Sequence, residues 1–318
     1  MKKLVALILG LMMLFACTAG MAEDYSDELY VQVGCMSNLD YFWDHEEGLR
    51  LAGEHFGVKT QYIAPSDYNL EEMVIELEQV IARKPAGLIV LGLDPVLDPL
   101  INKAIENGIP TVTVDADTPT SNRLAFIGTG NVNAGISGGK KLVDLLGGKG
   151  KVVVTMQPGQ LNLEERLAGY MQVLEQYPEI EVVQVVDDGN DSIKAAEALA
   201  PCLLKYPDLD AIICVGAAGA PGAAMAVREA GKAGQVIIMG FDRGADVCEG
   251  IREGVITASV AQNTMLMPFY ALDVLINYNH NQMPMTNDNE LAGITGIPVN
   301  IDTGSMIIDQ NNVEAFVR

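Results

Sequence analysis

From Leu29 onward, short apolar runs rich in Val, Ile and Leu alternate with longer stretches whose apolar positions recur at helical spacing. Each such unit takes roughly 25 to 30 residues, as a strand, a crossover helix and a parallel return strand require. Tyr30–Cys35 reads as a strand, Trp43–Phe56 as a helix and Val58–Ile63 as a strand. Asn69-Leu-Glu-Glu72 has the form of a capping box. Behind it Leu70, Val74, Leu77 and Ile81 form one apolar stripe. Gly87–Leu91 and Pro110–Val114 are further strands, separated by a helix from Pro95 to Asn107 that stops at Gly108.

The second half repeats the theme. Strands are predicted at Lys151–Met156, Val182–Val186, Ala211–Val215 and Val236–Phe241. Between them lie a helix capped by Asn162-Leu-Glu-Glu165 and running to Gln176, a helix Asp191–Lys205 burying Ile193, Ala196, Ala200 and Leu203, and a helix Gly222–Ala230. A helix Ala245–Gly254, a strand Ile256–Ala261 and a Met-rich helix Met265–Tyr278 follow. The spacing of Met265, Leu266, Phe269, Leu272, Leu275 and Ile276 assigns that last helix to a core. The tail from Gly293 to Arg318 reads as irregular strand pairing.

The halves echo one another. Ala86-Gly-Leu-Ile-Val-Leu-Gly92 matches Asp210-Ala-Ile-Ile-Cys-Val-Gly216, and Val112-Thr-Val-Asp115 matches Met239-Gly-Phe-Asp242. In an open parallel sheet the ligand site lies beyond the carboxyl ends of the strands. Asp115, Asp117 and Asp242 stand there. An Asp at such a place also serves as an ordinary turn residue. Two similar α/β lobes, each with an acid closing its fourth strand, would present those acids across a shared cleft.

Charge and composition narrow the partners. The 318-residue chain has a formal net charge of -22, with the acids spread along its length. That balance disfavours nucleic acid and anionic membranes, which are bound through Lys and Arg. Lys2-Lys3 followed by the twelve-residue apolar stretch Leu4–Phe15, which is too short for a membrane span of about 20 residues, reads as an export signal covering residues 1–22. Two processing sites compete: Gly20-Met-Ala22, and a lipobox-like Leu14-Phe-Ala-Cys17 in which Cys17 would carry a lipid anchor. Either places the protein outside the cytoplasm, in the periplasm or tethered to the outer face of the membrane. Cys35, Cys202, Cys214 and Cys248 lack the spacing of a metal site, and Cys202 and Cys214 read as packing positions.

Five motifs in a fixed order then carry a resemblance: Gly108-Ile-Pro to Asp115, Gly128-Thr-Gly-Asn131 with Gly135, Glu165-Arg166-Leu-Ala-Gly169-Tyr170, Gly240-Phe-Asp242 and Ala258-Ser-Val-Ala-Gln262. With these the chain resembles the ribose-binding-like sugar-binding proteins of ABC transporters, the type 1 periplasmic binding proteins. The resemblance implies two Rossmann-like lobes with parallel sheets, joined by three hinge crossings, and a sugar held between them. Applied here, residues 28–129 plus 263–292 form the N-terminal lobe, and 130–262 plus 293–318 the C-terminal lobe. The ligand contacts it implies are Asp115, Arg166, Asp242 and Gln262, the aromatic pair Tyr41-Phe42 with Trp43 beside it, and Asn38. Asp117, the second acid after the strand, joins them. Where the family often has Asn-Asp the chain has Gly216-Ala217, and Ala116 stands where the ribose binder has an Arg. Ribose itself is therefore disfavoured, with Gln157 and Asn162 available to compensate.

These residue types suit a polyol. Asp accepts from two hydroxyls, Arg donates a fork, Gln does one of each, and an aromatic face covers ring C–H groups. No cofactor is implied. The expected protein is a monomeric, non-enzymatic receptor that closes on a sugar and docks on an ABC permease. The alternative is a receptor for a sugar-like signal, such as an autoinducer, presented to a sensor kinase or chemoreceptor. A secreted serine hydrolase is the remote alternative. Gly135-Ile-Ser137-Gly-Gly139 matches a nucleophile elbow, but it falls inside a predicted helix with no His placed to serve it.

Overall fold

The computed structural model describes residues 25–317, so the export signal and Cys17 lie outside the described residues. The first lobe runs β1 (Leu29–Val33), α1 (Asp40–Phe56), β2 (Lys59–Ile63), α2 (Leu70–Arg83), β3 (Gly87–Val90), α3 (Asp98–Glu106), β4 (Thr111–Val114) and β5 (Phe126–Gly128). The second runs α4 (Asn131–Leu146), β6 (Gly150–Met156), α5 (Leu161–Leu174), β7 (Ile180–Asp187), α6 (Ser192–Lys205), β8 (Ala211–Cys214), α7 (Gly219–Glu229), β9 (Ile237–Phe241), α8 (Ala245–Arg252) and β10 (Ala258–Gln262). The chain then returns through α9 (Leu266–His280) and β11 (Asn300–Asp302) in the first lobe and ends on β12 (Ser305–Asp309) in the second.

Each lobe is a six-stranded sheet, ordered β11-β5-β4-β3-β1-β2 in the first and β12-β10-β9-β8-β6-β7 in the second. All strand pairs are parallel except β10 with β12. The central strands are short and largely buried because helices cover both faces, while the edge strands β2, β7 and β11 carry polar, exposed positions. In β3, β4 and β8 every residue is buried. Val31, Leu88 and Val90 face one layer of the first lobe, and Tyr30, Ile89 and Val112 the other. The second lobe divides in the same way, with Ile212 and Ile238 on one side and Ile213 and Met239 on the other.

Local chemistry sets the helix starts, with two departures from the sequence reading. Asn69 caps α2 as expected, its side chain accepting from the Glu72 N–H at 3.0 Å. Asn162, expected to cap, instead lies inside α5, whose N-cap is Gln160 without a side-chain bond. In α6, Asp191 caps and the buried stripe is Ala195, Leu199, Cys202 and Leu203, while Ile193 is largely exposed. The buried face is turned by about one residue from the expected one, with Ala196 half-buried and Ala200 exposed. Cys35, Cys202, Cys214 and Cys248 are buried free thiols.

Three crossings connect the lobes: β5 to α4, β10 to α9, and β11 to β12. The third corrects the division expected from sequence, which gave residues 293–318 wholly to the second lobe. β11 pairs with β5, so the chain stays in the first lobe until Asp302. This strand is three residues long and mostly exposed, and it has no apolar period to betray it. The crossings are tied to one another. Thr129 donates to Gln262 Oε1 at 2.8 Å, Thr303 Oγ1 to the Gly128 carbonyl at 3.1 Å, and Asn263 to the Thr303 carbonyl at 2.8 Å. Asp302 also accepts from the Gly130 N–H at 2.7 Å and from Asn133 at 3.0 Å, at the N-terminus of α4. A carboxylate there complements the free N–H groups of the first helical turn.

Candidate functional site

Between the lobes, at the carboxyl ends of both sheets, lies a cleft of about 1160 Å³. Its two sides are built alike. Asp115 follows β4 and Asp242 follows β9, and both have left-handed backbones, at φ 66° and 65°. Each of their N–H groups donates to the next strand, Asp115 to the Ile127 carbonyl at 2.9 Å and Asp242 to Val260 at 2.8 Å. Asp tolerates this conformation better than most residues, yet it remains strained, and such strain concentrates at ligand sites. The turn aims each carboxylate back over the end of its sheet, into the cleft.

The acids are held differently. The Tyr41 hydroxyl, from the first turn of α1, donates to Asp115 Oδ1 at 2.6 Å. Burial, followed by the charges of Asp115 and Asp242, pushes the Tyr41 phenol well above its ordinary pKa, so it stays a donor. Across the cleft Gln262, ending β10, donates through Nε2 to Asp242 Oδ1 at 2.8 Å. Burial raises the Asp242 pKa, while Arg166 and Gln262 oppose the rise. Oδ2 of each acid makes no hydrogen bond among the described residues.

Arg166 is buried in the second turn of α5 because two helices touch. A side-chain carbon at Gly135 of α4 would strike the Arg166 carbonyl, and one at Gly169 of α5 would strike the Val132 carbonyl. Glycine at both positions lets α4 and α5 meet at backbone distance. The Arg166 side chain then reaches Asn131 Oδ1 through Nε at 2.9 Å and the Val215 carbonyl through Nη1 at 3.1 Å. Its guanidinium lies 3.7 Å from the centre of the Phe241 ring. Burial lowers its pKa and Asp242 opposes that most strongly, yet an arginine stays charged in a protein. Those two bonds leave three of its five N–H groups for a ligand.

Of the residues singled out from sequence, Asn38, Tyr41, Phe42, Trp43, Asp115, Arg166, Asp242 and Gln262 line this one cleft, as does Asn162. Phe42 is largely buried at the cleft wall and Trp43 sits exposed at the rim. Asp117 is a correction. It does not line the cleft; Arg123 grips both its oxygens at 2.5 Å and Thr113 donates to it at 2.7 Å. Two residues beyond Asp115 the chain has turned away, and this acid ties Arg123 of the loop to Thr113 of β4. Gln157 is likewise outside the lining and accepts from Gln160 at 3.1 Å. Gly216 and Ala217 line the cleft with no polar side chain, as their types dictate. Ser137 lies mid-helix in α4, its hydroxyl bonded back to the Asn133 carbonyl at 3.0 Å, a geometry with no elbow.

The sequence reading passed over Asp44, Thr264 and Arg243, which also line the cleft. Asp44 stands one residue past the aromatic triplet and Arg243 one past Asp242, so adjacency was the available signal. Asp44, Asp115, Asp191, Asp242, Asp246 and Glu249 line the cleft against Arg166 and Arg243, a formal excess of four negative charges.

This architecture has known counterparts. The family model described as a periplasmic binding protein domain matches residues 35–282. The chain belongs to that family. Among solved structures this binding protein is similar to AraP, an arabinose-binding protein from Geobacillus stearothermophilus, with 35% identity and a TM-score of 0.85 over 91% of this chain and 99% of that one. It is also similar to the sugar-binding protein of a sugar ABC transporter from Bacillus halodurans, at 34% identity and a TM-score of 0.86 over 91% and 100% of the two chains. The D-allose-binding periplasmic protein of Escherichia coli is 28% identical over 234 residues, 70% of this chain and 75% of its own. The binding protein therefore has the type 1 architecture of two α/β lobes.

Proposed function

We propose that this protein is an extracytoplasmic receptor that closes its lobes on a neutral sugar and delivers it to an ABC importer. The observation that carries the reading is the pairing of Asp115 and Asp242. Equivalent strand ends of two lobes each offer an unpartnered carboxylate oxygen, with the spare N–H groups of Arg166 between them. Two acceptors and a fork of donors suit adjacent hydroxyls, each of which donates once and accepts once. Phe42 and Trp43 supply surface for ring C–H groups. The negative balance of the lining opposes sugar phosphates and sugar acids.

Proteins similar to this one bind arabinose, allose and ribose by their names, which supports a pentose or hexose as ligand. A binding role rather than catalysis is supported by the chain's membership of a family described as a periplasmic binding protein domain. Among the described residues no helix is long and apolar enough to cross a membrane. The sugar ABC transporter named for a similar structure supports a permease as partner. Ligand bridging would favour the closed state by its differential contacts with the two lobes.

Trp43 is the chain's only tryptophan and stands at the cleft rim, 55% exposed, so its emission reports closure directly. Titration with L-arabinose, D-ribose, D-allose, D-glucose and D-galactose should blue-shift that emission for at least one sugar, and Asp242→Ala should abolish the response. A panel with no response, or a response unaltered in Asp242→Ala, would sink the assignment.

A further inference from the structure

Arg243 does something the ligand contacts do not. It follows Asp242 in the second lobe, and its Nη2 forms an ion pair with Oδ2 of Asp44, on helix α1 of the first lobe. Thr264, in the second crossing, donates to the same oxygen at 2.5 Å. The Asp44 side chain is 2% exposed and that of Arg243 25%, so the pair reaches from the cleft wall into the interior of the opposite lobe. Helix α1 is also the element that brings Tyr41, Phe42 and Trp43 to the cleft.

We propose that Arg243 is a positioning residue that latches the second lobe to the first, so that the lobes are drawn together before ligand binds. The inference rests on the proposed ligand cleft for its consequence but not for its geometry. Rotating the lobes apart about the crossings would withdraw the guanidinium from a carboxylate embedded in protein. Removing the countercharge of a buried carboxylate is costly, because water does not replace it. Thr264 keeps Asp44 in place from the hinge side, so the latch closes onto a fixed point. Being peptide-bonded to Asp242, Arg243 also fixes where that acid stands relative to Tyr41 and Asp115. An open chain would present the two acids too far apart for one sugar. The latch shortens that gap in advance, and a binding-competent state that is more populated gives a lower apparent Kd.

Small-angle scattering of the ligand-free protein tests this without any sugar. Arg243→Ala should scatter with a larger radius of gyration than wild type, Arg243→Lys should fall between them, and adding Asp44→Asn to Arg243→Ala should enlarge it no further. Should Asp44→Asn fail to fold, Thr264→Val provides the second perturbation, expected to enlarge the radius partway. Superimposable profiles for wild type and Arg243→Ala would overturn the latch. In the sugar titration, Arg243→Ala should bind about 5- to 150-fold more weakly, the span usual for coupling between separate elements, with Arg243→Lys recovering part of the loss. Unchanged affinity would overturn its role in binding. If no sugar moves Trp43 emission in wild type, the receptor reading fails while the scattering result still decides the latch.

Discussion

Replacing Gln262 by Glu converts a pH-indifferent contact into a titrating one, and the size of the effect follows from the geometry. The wild-type amide donates to Asp242 Oδ1 at 2.8 Å and accepts from Thr129 at 2.8 Å. A protonated carboxyl reproduces both bonds, its O–H replacing the N–H. An ionised one places a second negative charge against Asp242. At a separation of about 4 Å and an effective dielectric constant of 20, the repulsion is roughly 4 kcal/mol. That equals about three pKa units, so the new carboxyl would titrate near 7 instead of near its ordinary ~4.3. The folded-state pKa is raised, so the stability linked to this proton is full below about pH 4 and is lost as pH rises through about 7. Gln262→Glu should therefore melt close to wild type at pH 5 and fall away by pH 8.5. With roughly 2–4 °C per kcal/mol for larger domains, the gap should reach about 8–16 °C. Thermal melts of both proteins from pH 5 to 8.5 measure it, with Gln262→Leu as a control that loses both bonds at every pH. A difference between Gln262→Glu and wild type that stays constant across that range would refute the claimed contact between Gln262 and Asp242.

Two further outcomes are expected. Burial raises the pKa of Asp242, so the stability tied to its proton is complete below the ordinary carboxylate range, near 3.9, and lost as pH rises through the folded value; Asp242→Asn should therefore gain in melting temperature relative to wild type between pH 3 and 7, and a flat difference would contradict the assigned burial. Gly169→Ala pushes a methyl into the Val132 carbonyl, an overpacking that costs about 1–3 kcal/mol; urea titration should show the lowered midpoint, the Trp43 assay should show weaker sugar binding as Arg166 is displaced, and an unmoved midpoint would disprove the close helix approach.

Much of the site was readable as residue type at strand ends. Asp115 and Asp242 announce themselves because each stops an apolar strand at corresponding places in two similar halves. Arg166 and Gln262 came from motifs whose physical meaning appears only in three dimensions. Gly169 matters to Arg166 because it lets α5 approach α4, and Gln262 matters because it bridges Thr129 and Asp242. Asp117 misled because an acid near a strand end looks the same whether it faces the cleft or an arginine six residues later. The return of β11 to the first lobe was invisible, since pairing of three half-exposed residues is decided by a partner strand about 170 residues away.

The sequence by itself determined the alternation of strands and helices, the two-lobe plan and the chemistry available at the strand ends, because hydrophobic period and turn residues are local properties. Which acid enters the cleft, which lobe holds the tail, and the ion pair between Arg243 and Asp44 were decided only by the tertiary structure. Those outcomes depend on backbone direction and on contacts between residues remote in the chain. No local pattern encodes where a left-handed turn will aim a carboxylate, or which buried charge waits on the other side of a hinge.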